Sequence, residues 1–267
     1  MGPTNPDLGR RANRLAWRML VRASGPLFRD REVNRFRSGL GMPPRRGNAG
    51  WAWRDAERTV VLVSRHYFGE GAEDWPPVDW GGFSVWDGGG AAAVPPEVDD
   101  HVGDGVDVVV TLGTSAASGA GEQFARIGRD LDERGLRSVL LVGDAENLGP
   151  LAGRPGAFTF APLVPLLSRA RVAVVSGALG GVAAALRAGR PVVVVPQLFD
   201  QIWHGRRVED LGLGRLVRKG ADVGGAVAAL MGDPAAAQRS RAFAARLAGE
   251  DGAAALADAA EALAGRS

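Results

Sequence analysis

The sequence predicts an α/β fold, a Rossmann-like, doubly wound parallel sheet preceded by a mostly helical N-terminal segment. Three observations carry this. Short apolar, β-branched runs recur from Val106 onward and alternate with stretches of helical character. Small-residue turns stand where a strand gives way to a helix, above all "SGALGG" after "VAVV". Such units, joined by right-handed crossovers, form one parallel sheet covered on both faces. A chain of 267 residues holds one domain of this kind with a full core, plus roughly a hundred residues more.

The elements follow in order. Residues 10–23, "RRANRLAWRMLVRA", place Leu15, Met19 and Arg22 on one side of a helix and Arg11, Arg14 and Arg18 on another. The favoured reading is a helix that packs on the core with its Arg outside; the functional alternative is peripheral contact with an anionic membrane surface or an acidic partner. "DREVNRFRSGLG" is a short helix capped by Gly39 or Gly41, and "PPRRGNAG" is a loop. "RTVVLVSRHYF" (Arg58 to Phe68) reads as a strand buried on both faces, with no obvious parallel neighbour before it. An unpaired apolar edge of that kind invites a second copy or a partner chain. The stretch rich in Pro, Gly and Trp that follows reads as an interdomain linker.

Strands are then expected at Val106–Leu112, Ser138–Val142, Ala157–Phe160, Val172–Val175 and Val192–Pro196. Helices are expected from about Glu122 to Arg134, after "SGALGG" until Gly189, from about Trp203 to Leu211, and to the chain end. Phe160 is taken as core.

Charge and composition exclude several classes. The formal net charge is +2, and residues 1–58 hold 13 Arg against five acidic side chains, so the remainder is net negative. No nucleic-acid partner is expected, because no helix-turn-helix or RNA-binding signature accompanies the charge and the aromatics are not interleaved for stacking. Without cysteine there is neither a disulfide framework nor a thiolate metal site, which fits a cytoplasmic location. Arg14, Arg18 and Arg22 interrupt the only N-terminal apolar stretch, and nowhere do about 20 apolar residues run together, so no signal peptide or membrane span is expected. His66, His101 and His204 lie in different segments without ligand spacing, so no metal site is expected either.

The run Leu167 to Gly214 carries the chemistry. After "VAVV", the residues "SGALGG" let the backbone turn tightly and open a helix whose free N–H groups and dipole face an anion, phosphate being the natural occupant. The next strand, "PVVVVPQ", ends in "LFDQ", which sets a carboxylate and a carboxamide at the carboxyl end of a parallel strand, the ligand edge of open α/β sheets. "TLGTS" places Gly113, Thr114 and Ser115 at the same edge.

This run resembles the C-terminal, nucleotide-sugar-binding domain of GT-B glycosyltransferases, specifically the UDP-glycosyltransferase-like enzymes of natural products, sterols and lipids. The resemblance extends back through "FTFAPLVPLL", "RSVLLVGD", "VDVVVTLGTSA", "DWPPVDWGGFSVWD" and "VNRFRSGLGMPP". It implies a residual acceptor-side segment over 1–70, a linker over 71–105 and a nucleotide-sugar-binding domain over 106–267. It also implies that Gly113, Thr114 and Ser115 meet the diphosphate, that Leu163 and Val164 lie against the nucleobase, and that Ser176, Gly177, Gly180 and Gly181 form the phosphate turn. Asp200 and Gln201 would bind the donor sugar. His204, four positions beyond Asp200, has two open readings, approach to the diphosphate from the following helix or a solvent-facing helical His.

Two positions depart from the family pattern. Where the family ordinarily carries a His and a Ser or Thr that contact the phosphates, this chain has Ser176 and Gly181, which weakens donor binding, since a charge-assisted contact contributes roughly 1.5–3 kcal/mol. No counterpart of the family's acceptor-side His is found, and no residue is assigned a catalytic role; His66 is read as structural. The expected ligand is a UDP- or dTDP-sugar, with no cofactor and no metal. The expected partner is a second copy, a separate acceptor domain or a complete glycosyltransferase. The alternative reading is a non-catalytic auxiliary of such an enzyme, or a gene remnant.

Overall fold

The computed structural model describes residues 12, 15, 16, 19, 31–44, 56–69, 72, 78–85, 93–113, 119–198, 200–218 and 222–265. The chain forms two compact units, one taking in Pro3–Val60 and Pro77–Asp79, the other Val61–Pro76 and Trp80–Ser267.

In the first unit, α1 (Arg31–Gly39) has Glu32 in its first turn and Arg37 in its last, the charge order that the helix dipole favours. Gly41, at φ +70°, closes it: Met42 N–H donates to the Arg37 carbonyl and Gly41 N–H to that of Ser38, the paired bonds of a Schellman cap. No residue of α1 is buried, and Val33, Phe36 and Leu40 are exposed. Ala12, Leu15, Ala16 and Met19 are helical, but Leu15 and Met19 are also exposed. The reading of residues 10–23 as a helix packed on the core is not met by the two large apolar side chains described there, Leu15 and Met19; apart from residues 12, 15, 16 and 19 the segment lies outside the described residues.

The second unit is built on a six-stranded parallel sheet in the order β5-β4-β3-β6-β7-β8. Its strands are β3 (Val106–Thr111), β4 (Ser138–Leu141), β5 (Ala157–Phe158), β6 (Ala170–Val175), β7 (Val192–Val194) and β8 (Gly214–Leu216). β3 and β6 lie at the centre, with Val108 opposite Val172 and Thr111 opposite Val175. Strand order reverses between them, so their carboxyl ends border the switch-point crevice of a doubly wound sheet.

Both faces are covered. On one, α5 (Leu163–Ser168), α6 (Leu179–Arg187) and α7 (Gln201–Asp210) bury Leu166, Leu167, Val182, Leu186 and Val208 against Val109, Ala173, Val175 and Val194. On the other, α4 (Gly121–Asp132) and α8 (Val223–Met231) bury Phe124, Ile127, Leu131 and Val227 against Val108, Val110, Val172 and Val174. The β-branched runs thus sit in a sheet buried on both sides, which is why they do not alternate with polar residues. Three aspartates start the terminal helices α8, α9 (Pro234–Leu247) and α10 (Gly252–Ala264): Asp222, Asp233 and Asp251 each accept a first-turn backbone N–H. No helix among the described residues is long and apolar enough to cross a membrane.

Two expectations are corrected upstream of β3. The strand read over Arg58–Phe68 shrinks to β1 (Val60–Val61), which pairs with β2 (Asp79–Trp80), and Arg65–Phe68 is a helix, α2. Ser64 turns the chain, its hydroxyl accepting the Tyr67 N–H and donating to Glu250 Oε1 at 2.7 Å. β2 pairs with one edge of β1 in a two-stranded sheet. The stretch read as a linker also supplies core: Phe83 is buried beside Tyr67, and α3 (Pro96–Val102) buries Val98 and Val102.

Candidate functional site

The residues singled out from the sequence gather at the carboxyl edge of the sheet because each follows a strand of it. Leu112 and Gly113 leave β3; Gly113 is left-handed at φ +68°, and a side chain there would begin 3.6 Å from the Ser176 hydroxyl. The turns after β3 and β6 are therefore in contact range. Thr114 and Ser115 lie outside the described residues.

After β6 the backbone doubles back at Gly177, φ +89°, packed so closely that an added Cβ would stand 2.7 Å from Val194 Cγ1 and 2.9 Å from the Gln201 carbonyl oxygen. Ser176 is only 2% exposed, and its hydroxyl accepts the Ala178 N–H at 3.3 Å, which fixes the entry into α6. That helix starts with Ala178 as N-cap and no side-chain cap. Its first N–H groups, those of Leu179, Gly180 and Gly181, have no partner within the helix and suit an anion. Gly180 opens on free space, since a Cβ there would meet nothing within 4 Å, while one on Gly181 would make ordinary contact with Val175.

Leu163 and Val164 form the first turn of α5, half-buried against the core, again without a side-chain cap. Phe160, expected in the core, is 73% exposed, and that expectation is corrected. β5 ends at Phe158, so the alternation that would carry Phe160 inward has already stopped when the chain reaches Pro162. An exposed aromatic face thus precedes the Leu163–Val164 turn, a feature the sequence reading missed.

Asp200 and Gln201 follow β7 but serve different ends. Gln201 is buried, and its Oε1 accepts the backbone N–H groups of Gln197 (2.6 Å) and Leu198 (3.0 Å), bracing the loop it belongs to. Asp200 is the N-cap of α7 yet makes no side-chain cap bond; its carboxylate is 70% exposed, with Oδ2 3.3 Å from His204 Nε2. His204 is buried, its Nδ1 3.0 Å from the Tyr67 hydroxyl, so both ring nitrogens are engaged within the protein rather than turned to the crevice. Burial lowers the His204 pKa against the opposing pull of Asp200, and pushes the Tyr67 hydroxyl well above the usual tyrosine value.

The other two histidines lie elsewhere. His66 Nδ1 is 2.9 Å from an Arg246 guanidinium nitrogen, and His101 meets the carbonyl of Ser138, at the amino end of β4 and so away from the carboxyl edge. Among the described residues no three His, Asp or Glu side chains assemble into a metal-binding group.

No protein-family profile matches the sequence. The chain is 29% identical to the O-mycaminosyltylonolide 6-deoxyallosyltransferase of Streptomyces fradiae over 94% of its own length and 60% of that protein. Among solved structures it resembles a glycotransferase of kitacinnamycin (TM-score 0.67, 25% identity, 86% of this chain and 60% of that one). It also resembles CalG4, the calicheamicin glycosyltransferase (TM-score 0.65, 25% identity, 88% and 60%). The chain thus spans about 60% of the length of these relatives.

Proposed function

The homologues and structural neighbours of this chain are GT-B glycosyltransferases, and from that premise we propose that it binds a UDP- or dTDP-hexose at the carboxyl edge of its sheet. Completed by an acceptor-binding domain, it would serve inverting transfer of the hexosyl group to a hydroxylated small molecule. The observation that carries this reading is the meeting of the Gly113 and Ser176–Gly177 turns in front of the uncapped start of α6. A diphosphate seated there is neutralised by backbone N–H groups and the helix dipole, so its departure as a leaving group needs no metal. The Phe160 ring and the Leu163–Val164 turn offer an apolar surface for the base. Asp200 offers acceptors for sugar hydroxyls.

In an inverting displacement a base takes the proton of the acceptor hydroxyl as that oxygen attacks the anomeric carbon. In this reading the base belongs to the acceptor domain. Calorimetry with UDP, dTDP and their hexose derivatives tests donor binding. Measurable binding is expected, and none at millimolar concentration overturns the reading.

The two neighbours after β7 separate in a second test. Replacing Asp200 by Ala should lower nucleotide-sugar affinity roughly 10- to 100-fold, the worth of a hydrogen bond to a charged group, and leave free UDP binding unchanged. Gln201→Ala should instead lower stability by about 1–3 kcal/mol, because two loop N–H groups lose their acceptor, and weaken both ligands together. Thermal melts alongside the titrations distinguish these patterns; equal losses for both ligands in Asp200→Ala would place that carboxylate at the phosphates.

A further inference from the structure

Behind Asp200 stand two buried side chains that the donor-site reading leaves without a task. Tyr67, on α2, is fully buried, and its ring stacks on the His204 imidazole with centroids 5.8 Å apart and 18° between the planes. Trp203 closes the edge, T-shaped to His204 at 5.0 Å and to Tyr67 at 6.1 Å. The Tyr67 hydroxyl lies 3.0 Å from His204 Nδ1 and 3.3 Å from the His204 backbone carbonyl oxygen, while Nε2 on the far side of the ring lies 3.3 Å from Asp200 Oδ2.

A neutral imidazole carries one N–H, so this row of groups can run in either of two directions. With the proton on Nδ1, the ring donates to Tyr67 and turns a bare Nε2 lone pair toward a carboxylate, two negative ends facing each other. With the proton on Nε2, the ring donates to Asp200, and Nδ1 accepts from the tyrosine. Every proton then has an acceptor. The tyrosine keeps its proton for this purpose because burial disfavours the phenolate, and burial likewise favours the uncharged ring.

We propose that Tyr67 and His204 are positioning residues: Tyr67 O–H donates to His204 Nδ1 and His204 Nε2–H to Asp200 Oδ2, which holds the carboxylate and leaves Oδ1 for the donor sugar. This rests on the donor-site reading above and adds to it a segment 137 residues upstream in sequence.

Two measurements on the full chain test it. Long-range 1H–15N spectra, with the His204 signals identified by their loss in His204→Gln, should show the Nε2–H tautomer; an Nδ1–H ring overturns the proposal whether or not any ligand binds. Titrations with UDP-glucose, dTDP-glucose and UDP give the second. Tyr67→Phe, which keeps the ring, and His204→Leu should each lower affinity for the sugar nucleotides about three- to tenfold and leave UDP unaffected. His204→Gln, which retains an N–H donor near the Nε2 position, should bind nearly as the natural chain does. If Asp200→Ala weakens sugar-nucleotide binding while folded Tyr67→Phe and His204→Leu proteins do not, the positioning role is wrong and the donor site stands. If the natural chain binds no sugar nucleotide, the donor reading and the sugar-positioning role fail together, and the spectra alone decide whether the hydrogen-bond chain exists.

Discussion

Replacing Gly177 by Ala should destabilise the protein by about 2–4 kcal/mol and abolish nucleotide binding. Two costs add at this position. A left-handed φ of +89° strains any residue with a Cβ, and the new methyl would collide with Val194 Cγ1 on β7 and with the Gln201 carbonyl on α7. Neither neighbour can withdraw easily, since Val194 is fully buried and the Gln201 side chain is bonded to two loop N–H groups. Relief therefore has to come from the turn itself, which displaces the start of α6. Gly180→Ala is the control: it lies in the first turn of the same helix and faces open space, so its stability should hold or rise slightly, by up to about 1 kcal/mol from helix propensity. Urea denaturation and UDP titration of both variants decide the matter, and a Gly177→Ala protein with unchanged midpoint and affinity would show that this turn is not the constrained element described.

Phe160→Ala should weaken nucleotide binding roughly five- to hundredfold while leaving the melting temperature unchanged, because stacking of a base on an aromatic ring contributes about 1–3 kcal/mol. The ring is largely exposed, so its removal uncovers little core, and any loss of affinity reports on the ligand rather than on folding. The effect should be equal for UDP and for UDP-sugars, since the ring would meet only the base. Unchanged affinity would move the nucleobase away from the end of β5 and leave the Leu163–Val164 turn without its assigned role.

These two positions also mark how far the sequence could be read. The central strands were legible because a sheet covered on both faces selects uninterrupted β-branched runs, as in "VDVVVT" and "ARVAVV". β8, "GRL", carries no such run; it pairs with β7 because Gly214 lets the backbone pass close to the Val192 carbonyl, a fit visible only in three dimensions. The glycine turn after β6 was legible from composition. What the side chains at the site do was less so. Gln201 turned inward to its own loop, and His204 found Tyr67 far upstream, a pairing no local spacing encodes. Tyr67 itself was assigned to a strand, because the apolar run before it outweighs a single Ser64, whose capping hydroxyl starts the helix.

The central placement of β3 and β6 has a kinetic meaning. Each is paired on both sides and roofed by helices above and below, so their amide protons should be the last to exchange with solvent, released only when the whole sheet opens. Ser176 follows the last residue of β6 directly, and Gly113 follows β3 after Leu112 alone. These two turns are thus tethered to the slowest-opening part of the molecule, and deuterium uptake should find them intact after the first unit, whose described apolar side chains on α1 are exposed, has already exchanged.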